Sequence, residues 1–191
     1  MPRTADQHLH ERILKAAQRL WRTRGEKGLT LRAVARQSGT TTTTVYKRFR
    51  NKEALRFALA ERVYQELAAE TTSAPTLKEV YRRHLHFAEK HPWEYQLLFG
   101  PAWTEIFAPG RPRPISDWLM AQLAQRFGGK PEDYLQFHFA LFLATHGGAS
   151  MLAAAPKSRA NIGVRETCLA VCDAMVDNIQ IFRRTIRKDS Q

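Results

Sequence analysis

Five consecutive threonines, residues 40–44, run into Tyr46, Lys47, Arg48, Arg50 and Lys52. The chemistry these side chains share is nucleic-acid recognition. A threonine hydroxyl can bond a base edge or a phosphate and its methyl can touch the thymine methyl, while lysine and arginine pair with phosphates. A run of threonines also suits an ordinary polar turn, so the flanking elements decide between the two readings.

Those elements read as two short helices. Thr30 caps a first one with Leu31, Val34 and Ala35 on its apolar side, and Ser38-Gly39 ends it, since glycine takes the positive φ that closes a helix. The chain restarts at Thr40 or Thr41, hydroxyl-bearing caps, and Val45 and Phe49 give an apolar i, i+4 stripe. This is the spacing of a helix-turn-helix, whose second helix lies in the DNA major groove. Thr41, Thr42, Thr43, Tyr46 and Lys47 fall on its outward side, and Lys47, Arg48, Arg50 and Lys52 are placed for phosphates. Asn51 can cap the next helix by accepting from the amide of Glu53 or Ala54. A first helix over Gln7 to Arg24, with Ile13, Ala16, Ala17, Leu20 and Trp21 as its buried stripe, braces the pair. His8 and His10 point apart on it, which predicts an exposed, frayed terminus and no metal site.

Ile13-Leu14-Ala16-Ala17, Gly25 to Thr30, Ala35, Ser38-Gly39, Thr44-Val45-Tyr46, Phe49 and Asn51-Lys52-Glu53-Ala54-Leu55 occur in an order that resembles the tetracycline-repressor-like (TetR) family of transcription regulators, over roughly Arg12 to Leu59. The resemblance implies an N-terminal DNA-binding domain, an all-helical C-terminal ligand-binding domain and a homodimer on a palindromic operator. Carried over by position, Thr30 and Lys52 resemble phosphate contacts and Tyr46 the recognition-helix tyrosine that touches the backbone. Arg32, Thr41, Thr42 and Thr43 fall where base contacts are made. The sequence departs from the family pattern at Thr40, where valine is frequent, at Thr43, where glycine, alanine or proline is frequent, and at Arg48, where histidine or tyrosine is usual. Arg48 adds a permanent charge, and the departures leave the operator sequence open.

Net charge is +12, and residues 1–52 carry 13 Lys/Arg against 3 Asp/Glu, so nearly all of the excess sits with the helix-turn-helix. Phosphate neutralisation requires that placement, and it predicts strongly salt-dependent binding. A membrane-surface role lacks the lipid-facing Trp/Phe/Leu face it requires. A hydrophobic fraction of 43% and a charged fraction of 25% are those of a globular protein. No run of about 18 apolar residues is read in the chain, and Met1 to Arg24 has no compact apolar block, so a cytoplasmic protein is expected.

Beyond Asn51 a helix carries Leu55, Leu59, Val63 and Leu67 and loses its pattern at Thr71 to Pro75. A boundary is read here, with residues 1–52 as the DNA-binding domain, 51–70 as the linking helix and 53–191 as a helical ligand-binding and dimerisation domain. Thr76 to Lys90 is a further helix (Leu77, Val80, Tyr81, Leu85, Ala88) stopped by Pro92. The aromatic-rich run Trp93, Tyr95, Leu97, Leu98, Phe99, Trp103, Ile106 and Phe107 must bury itself, in the core or around a ligand. After the loop Pro109 to Pro114, a helix over Ile115 to Phe127 ends at Gly128-Gly129. Lys130 to Asp133 opens a helix apolar nearly all round, with Leu135, Phe139, Phe142, His146 and Ala153 in one seam and Tyr134, His138, Leu141 and Thr145 beside it. Gly147-Gly148 within it predicts a close helix approach. Thr145-His146-Gly147 is a partial match to a Trp-His-Gly triplet of some TetR relatives.

The last helix, Asn161 to Lys188, repeats Val164, Cys168, Val171, Met175, Ile179, Phe182 and Ile186 as a packing seam. With Phe139 and Phe142, the residues Val164, Cys168, Val171, Met175, Ile179 and Phe182 form the candidate dimer interface, since the resemblance implies a four-helix interface between subunits. Cys168 and Cys172, one turn apart with no partner ligands, read as small buried residues. Candidate ligand contacts are Trp93, Phe99, Trp103, Phe107, Trp118, His138, Phe142 and His146, the histidines equally suited to satisfied core positions.

The sequence therefore predicts an all-α chain of about nine helices: an effector-responsive DNA-binding regulator, a repressor by resemblance. The resemblance implies that it binds a palindromic operator as a homodimer and is released by a small-molecule ligand. No cofactor, metal, membrane partner or catalytic residue is implied, and the chain is not read as an enzyme. The alternatives are a helical small-molecule-binding protein with catalytic activity and a nonspecific architectural DNA binder.

Overall fold

The computed structural model describes residues 3–100, 102–156 and 158–180, with side chains from Gln7 onward. The chain is all α. Among the described residues the helices are α1 (Arg3–Gly28), α2 (Leu31–Gln37), α3 (Thr42–Arg48), α4 (Lys52–Thr72), α5 (Leu77–Lys90), α6 (Pro92–Leu98), α7 (Trp103–Ile106), α8 (Pro114–Phe127), α9 (Leu135–Ala154) and α10 (Asn161–Asp177), with a 3-10 turn (Pro131–Tyr134) leading into α9. The helix beyond the predicted nine arises because the aromatic stretch after Pro92 divides into α6 and α7. The chain forms two compact units, residues 1–65 with 96–109 and residues 66–95 with 110–191.

In the first unit the α1 stripe Ile13, Ala16, Ala17, Leu20 and Trp21 is buried as predicted, together with Leu14. The α-helix breaks at Gly25, where φ is 57° and ψ is −149°, a left-handed φ that glycine adopts without steric cost. α2 packs against both α1 and α3. Arg62 of α4 ties to α1 through Glu11, at 2.7 Å, and through Gln18, at 3.0 Å. His10 is not at a frayed end: α1 starts at Arg3, and the imidazole stacks on Phe49 with ring centroids 5.2 Å apart. Phe99, Trp103 and Phe107 pack on one another, Trp103 and Phe107 at 4.2 Å, and Phe107 meets the Tyr64 edge at 5.3 Å.

In the second unit α9 is the hub, packed on α5, α8 and α10. With its 3-10 turn, Pro131–Ala154 is long and apolar enough to cross a membrane, contrary to the reading that no such run exists; here it is a packing helix. The buried face is Phe137, His138, Leu141, Thr145, Ala149, Leu152 and Ala153, so of the seam read from sequence only Ala153 lies on it, while His138, Leu141 and Thr145, read as beside the seam, do. Leu135 and Phe139 are exposed, and Leu143, Gly147 and Met151 continue the same exposed stripe. A helix apolar on every side has no periodicity to say which face goes inward. Gly148 confirms the close approach: an added Cβ would stand 2.7 Å from Cys168 Sγ, whereas none of the surroundings comes within 4 Å of one at Gly147.

Burial of the aromatic stretch also needs correction. Tyr95, Leu97, Leu98 and Ile106 are inside, but Trp93 and Trp103 are exposed. The α4 stripe does not stop at Leu67: Thr71, one turn further, is fully buried. On α10 the inward face is Cys168, Cys172 and Val176, with Ile179 also buried beyond the helix end, and Val171 faces out. The predicted continuation to Lys188, with Phe182, lies outside the described residues.

Candidate nucleic-acid interface and ligand cavity

The two short helices are held by the caps their sequence suggests. Thr30 Oγ1 accepts from the Ala33 amide at 3.1 Å, and Thr41 Oγ1 accepts from the Thr44 amide at 3.1 Å while lying 2.9 Å from Thr44 Oγ1. Each such cap contributes about 1 kcal/mol. Gly39 makes the turn at φ 65°, and Asn51 Oδ1 starts α4 by accepting from the Ala54 amide at 2.8 Å. Val45 and Phe49 are buried beneath α3.

That anchoring turns the opposite face of α3 to solvent. Thr41, Thr43, Tyr46 and Lys47 are exposed, Tyr46 by 55% although it is a large aromatic ring, and Thr42 and Arg48 are half-buried. Thr30 and Arg32 of the α2 end are exposed as well, and an open cleft of about 610 Å³ lies between the two helices, lined by Thr30, Arg32, Arg36, Thr40, Thr41 and Thr42. Arg36 was missed as a site residue. Its signal was available, because it stands one helical turn after Arg32 and shares its face. Lys52 is not an isolated cation: its ammonium donates to the Glu26 carbonyl at 3.4 Å and lies 3.9 Å from the Glu26 carboxylate, which Arg56 approaches at 3.3 Å.

The candidate ligand residues fall into separate places. Phe99, Trp103 and Phe107 belong to the first unit. Trp93 is exposed on α6, and Trp118 lines a cleft of about 240 Å³ with Pro75, Gln122, Gln125 and Arg126. His138 and Phe142 come together in a cavity of about 40 Å³ with Thr71, Val80, Tyr81, His84, Ile115, Leu119, Leu141 and Thr145. His146 lies in a hydrogen-bonded chain: its Nδ1 is 2.7 Å from the Tyr95 hydroxyl, which is 3.1 Å from His84 Nε2, and its Nε2 is 3.3 Å from Ser150 Oγ. Burial, reinforced by His146, pushes the His84 pKa down to about 4. Burial also lowers those of His138 and His146, so all three favour the neutral form. Thr71 and His84 were missed as cavity residues; each continues its helix's buried stripe with a polar side chain, at one turn from Leu67 and from Val80.

Cys168 and Cys172 are both buried with free thiols, and Cys172 Sγ lies 3.5 Å from Thr145 Oγ1. Of the candidate interface residues, Phe139 and Val171 are exposed, Phe142, Val164 and Met175 half-buried, and Cys168 and Ile179 inside the protomer.

Residues 13–59 match the family of bacterial regulatory proteins, tetR family. Among curated proteins none matches the sequence. Similar solved structures include a TetR transcriptional regulator from Streptomyces coelicolor, at 24% identity and TM-score 0.70, covering 91% of this chain and 98% of that one. Another is a TetR variant from Acinetobacter baumannii AYE in complex with minocycline, at 21% identity and TM-score 0.57, covering 90% and 96%. A TetR-family regulator from Haemophilus influenzae is similar at 20% identity and TM-score 0.55, covering 88% and 98%.

Proposed function

We propose that this chain, which belongs to the TetR family of transcriptional regulators, is a cytoplasmic repressor that binds a palindromic operator as a homodimer and is released by a small-molecule effector. The observation that carries the reading is the row on α3: Thr41, Thr42, Thr43, Tyr46 and Lys47, presented outward by caps and by the buried Val45 and Phe49. Thr30 uses one acceptor position on its helix amide and keeps an O–H to donate to phosphate, while the Thr41 hydroxyl is shared with Thr44. Arg32 and the α3 threonines read bases. Tyr46, Lys47, Arg48 and Lys52 fix the helix on the backbone, with Lys52 held in place by Glu26.

Dimer formation is supported by the exposed apolar stripe of α9, Leu135, Phe139, Leu143 and Met151, together with Ile162 and Val171 on α10. Contiguous apolar surface of this kind marks an interaction face. A self-complementary pairing would place two recognition helices in successive major grooves about 34–36 Å apart. An effector bound in the helical second unit then favours a spacing that no longer matches. The minocycline complex of a structural relative supports such a ligand role.

The test is an electrophoretic titration of Tyr46→Ala and Lys47→Ala on several duplexes. Both variants bind every duplex more weakly, and Lys47→Ala lowers the salt slope by about one. Unchanged affinity of Tyr46→Ala would refute the docking.

A further inference from the structure

We propose that the cavity lined by α4, α5, α8 and α9 takes the neutral hydrogen-bonding end of a compact, largely apolar molecule, held by Thr71 Oγ1 and His138 Nδ1. The proposal rests on the reading that an effector binds in the second unit, and adds its chemical class and its anchors.

Two buried side-chain polar atoms have no hydrogen-bond partner among the described residues, Thr71 Oγ1 and His138 Nδ1, and both residues line this one cavity. Thr71 is 0% exposed and His138 8%. Buried polar atoms are ordinarily satisfied, so two orphans on one void point to a group that completes them. The contrast with neighbouring threonines sharpens this. Thr72 turns its hydroxyl back to the Ala68 carbonyl at 2.8 Å, and Thr145, also on the cavity wall, turns its hydroxyl to the Leu141 carbonyl at 2.7 Å. Thr71 makes no such bond. The other polar wall residues are engaged too: Tyr81 donates to Asp173, and His84 meets the Tyr95 hydroxyl.

The remaining wall is Val80, Ile115, Leu119, Leu141 and Phe142, and no lining residue carries a carboxylate, ammonium or guanidinium. Arg113 and Asp117 act on His138 from outside the lining and oppose each other, so an ionised ligand would give up its hydration there with no charged group on the wall to replace it. Neutral imidazole and a hydroxyl can each donate or accept, so an alcohol, ketone or amide satisfies both anchors. The volume of about 40 Å³ holds such a polar head. The apolar remainder requires Ile115 and Phe142, the half-buried wall residues, to move outward.

The test uses the full chain and four probes of one shape: benzyl alcohol, toluene, benzoate and benzylammonium. Binding is read from the imidazole ¹⁵N resonances of His138 and from the melting temperature. Benzyl alcohol is expected to shift the His138 resonances and to bind at least tenfold more tightly than either ion. Thr71→Val, nearly isosteric, is expected to weaken benzyl alcohol about tenfold while leaving toluene unchanged; His138→Phe should do the same if it folds. Equal binding of the ions, no effect of Thr71→Val on the alcohol, or no His138 shift with any probe would each overturn the proposal. Operator binding, measured separately, keeps the two readings apart. A chain that binds its operator but shows no His138 response loses only the cavity assignment, whereas a chain that takes benzyl alcohol but binds no DNA loses only the regulator reading.

Discussion

Gly148 of α9 and Cys168 of α10 meet at a distance only glycine allows: a Cβ at position 148 would lie 2.7 Å from Cys168 Sγ and 2.9 Å from Cys168 Cβ. Gly148→Ala must push the two helices apart, at a cost of about 1–3 kcal/mol. Gly147→Ala, with open space around the added carbon, leaves the protomer's packing intact. Denaturant unfolding of the two variants separates them, and Cys168→Ala should restore part of the Gly148→Ala loss. Equal midpoints for the two alanine variants would contradict the close contact.

His84 makes stability depend on pH. Its folded pKa of about 4 lies below the ordinary histidine value of 6.5, so the unfolded chain takes up the proton first. The stability it contributes is whole above about pH 6.5, falls as pH drops through the window toward 4, and is lost below it. Between pH 7 and pH 5 the loss through this group is on the order of 2 kcal/mol. His84→Gln, which does not titrate, should show a flatter dependence in urea unfolding, and an unchanged slope would mean that His84 protonates freely in the fold.

The exposed stripe of α9 gives a prediction about assembly. Leu143 is 66% exposed and stands between Phe139 and Met151 on one side of the helix. Leu143→Arg puts a charge in the middle of the proposed interface without disturbing the protomer's core, so sedimentation should show a monomer where the unaltered chain is a dimer. A variant that still sediments as a dimer would move the interface elsewhere.

Local features were the most legible from sequence. The Thr30 and Thr41 caps, the Gly39 turn and the Asn51 start depend on residues three or four positions apart, so the helix-turn-helix could be read residue by residue. The α1 stripe was legible for the same reason, a single strong periodicity. On α9 nearly every position is apolar, so the pattern picks no inward face, and only packing against α5, α8 and α10 selects Phe137, Leu141 and Thr145. The aromatic run misled in a similar way: composition says that such residues bury themselves, but not that Trp103 closes over Phe107 while keeping one side in water. Of the cavity, His138 and Phe142 were found by type. Thr71 was hidden because a threonine at a helix end looks like the end of the pattern rather than its last buried turn.

Sequence-specific docking by α3 can be measured directly. The measurement is a selection of genomic fragments by the purified chain at near-physiological salt, followed by sequencing of what is retained. Recovery of one inverted repeat, with half-sites a helical turn apart, is the predicted result. Retention of fragments with no shared sequence, at affinities equal to random duplex, would contradict it and leave the basic first unit as a nonspecific DNA-binding surface.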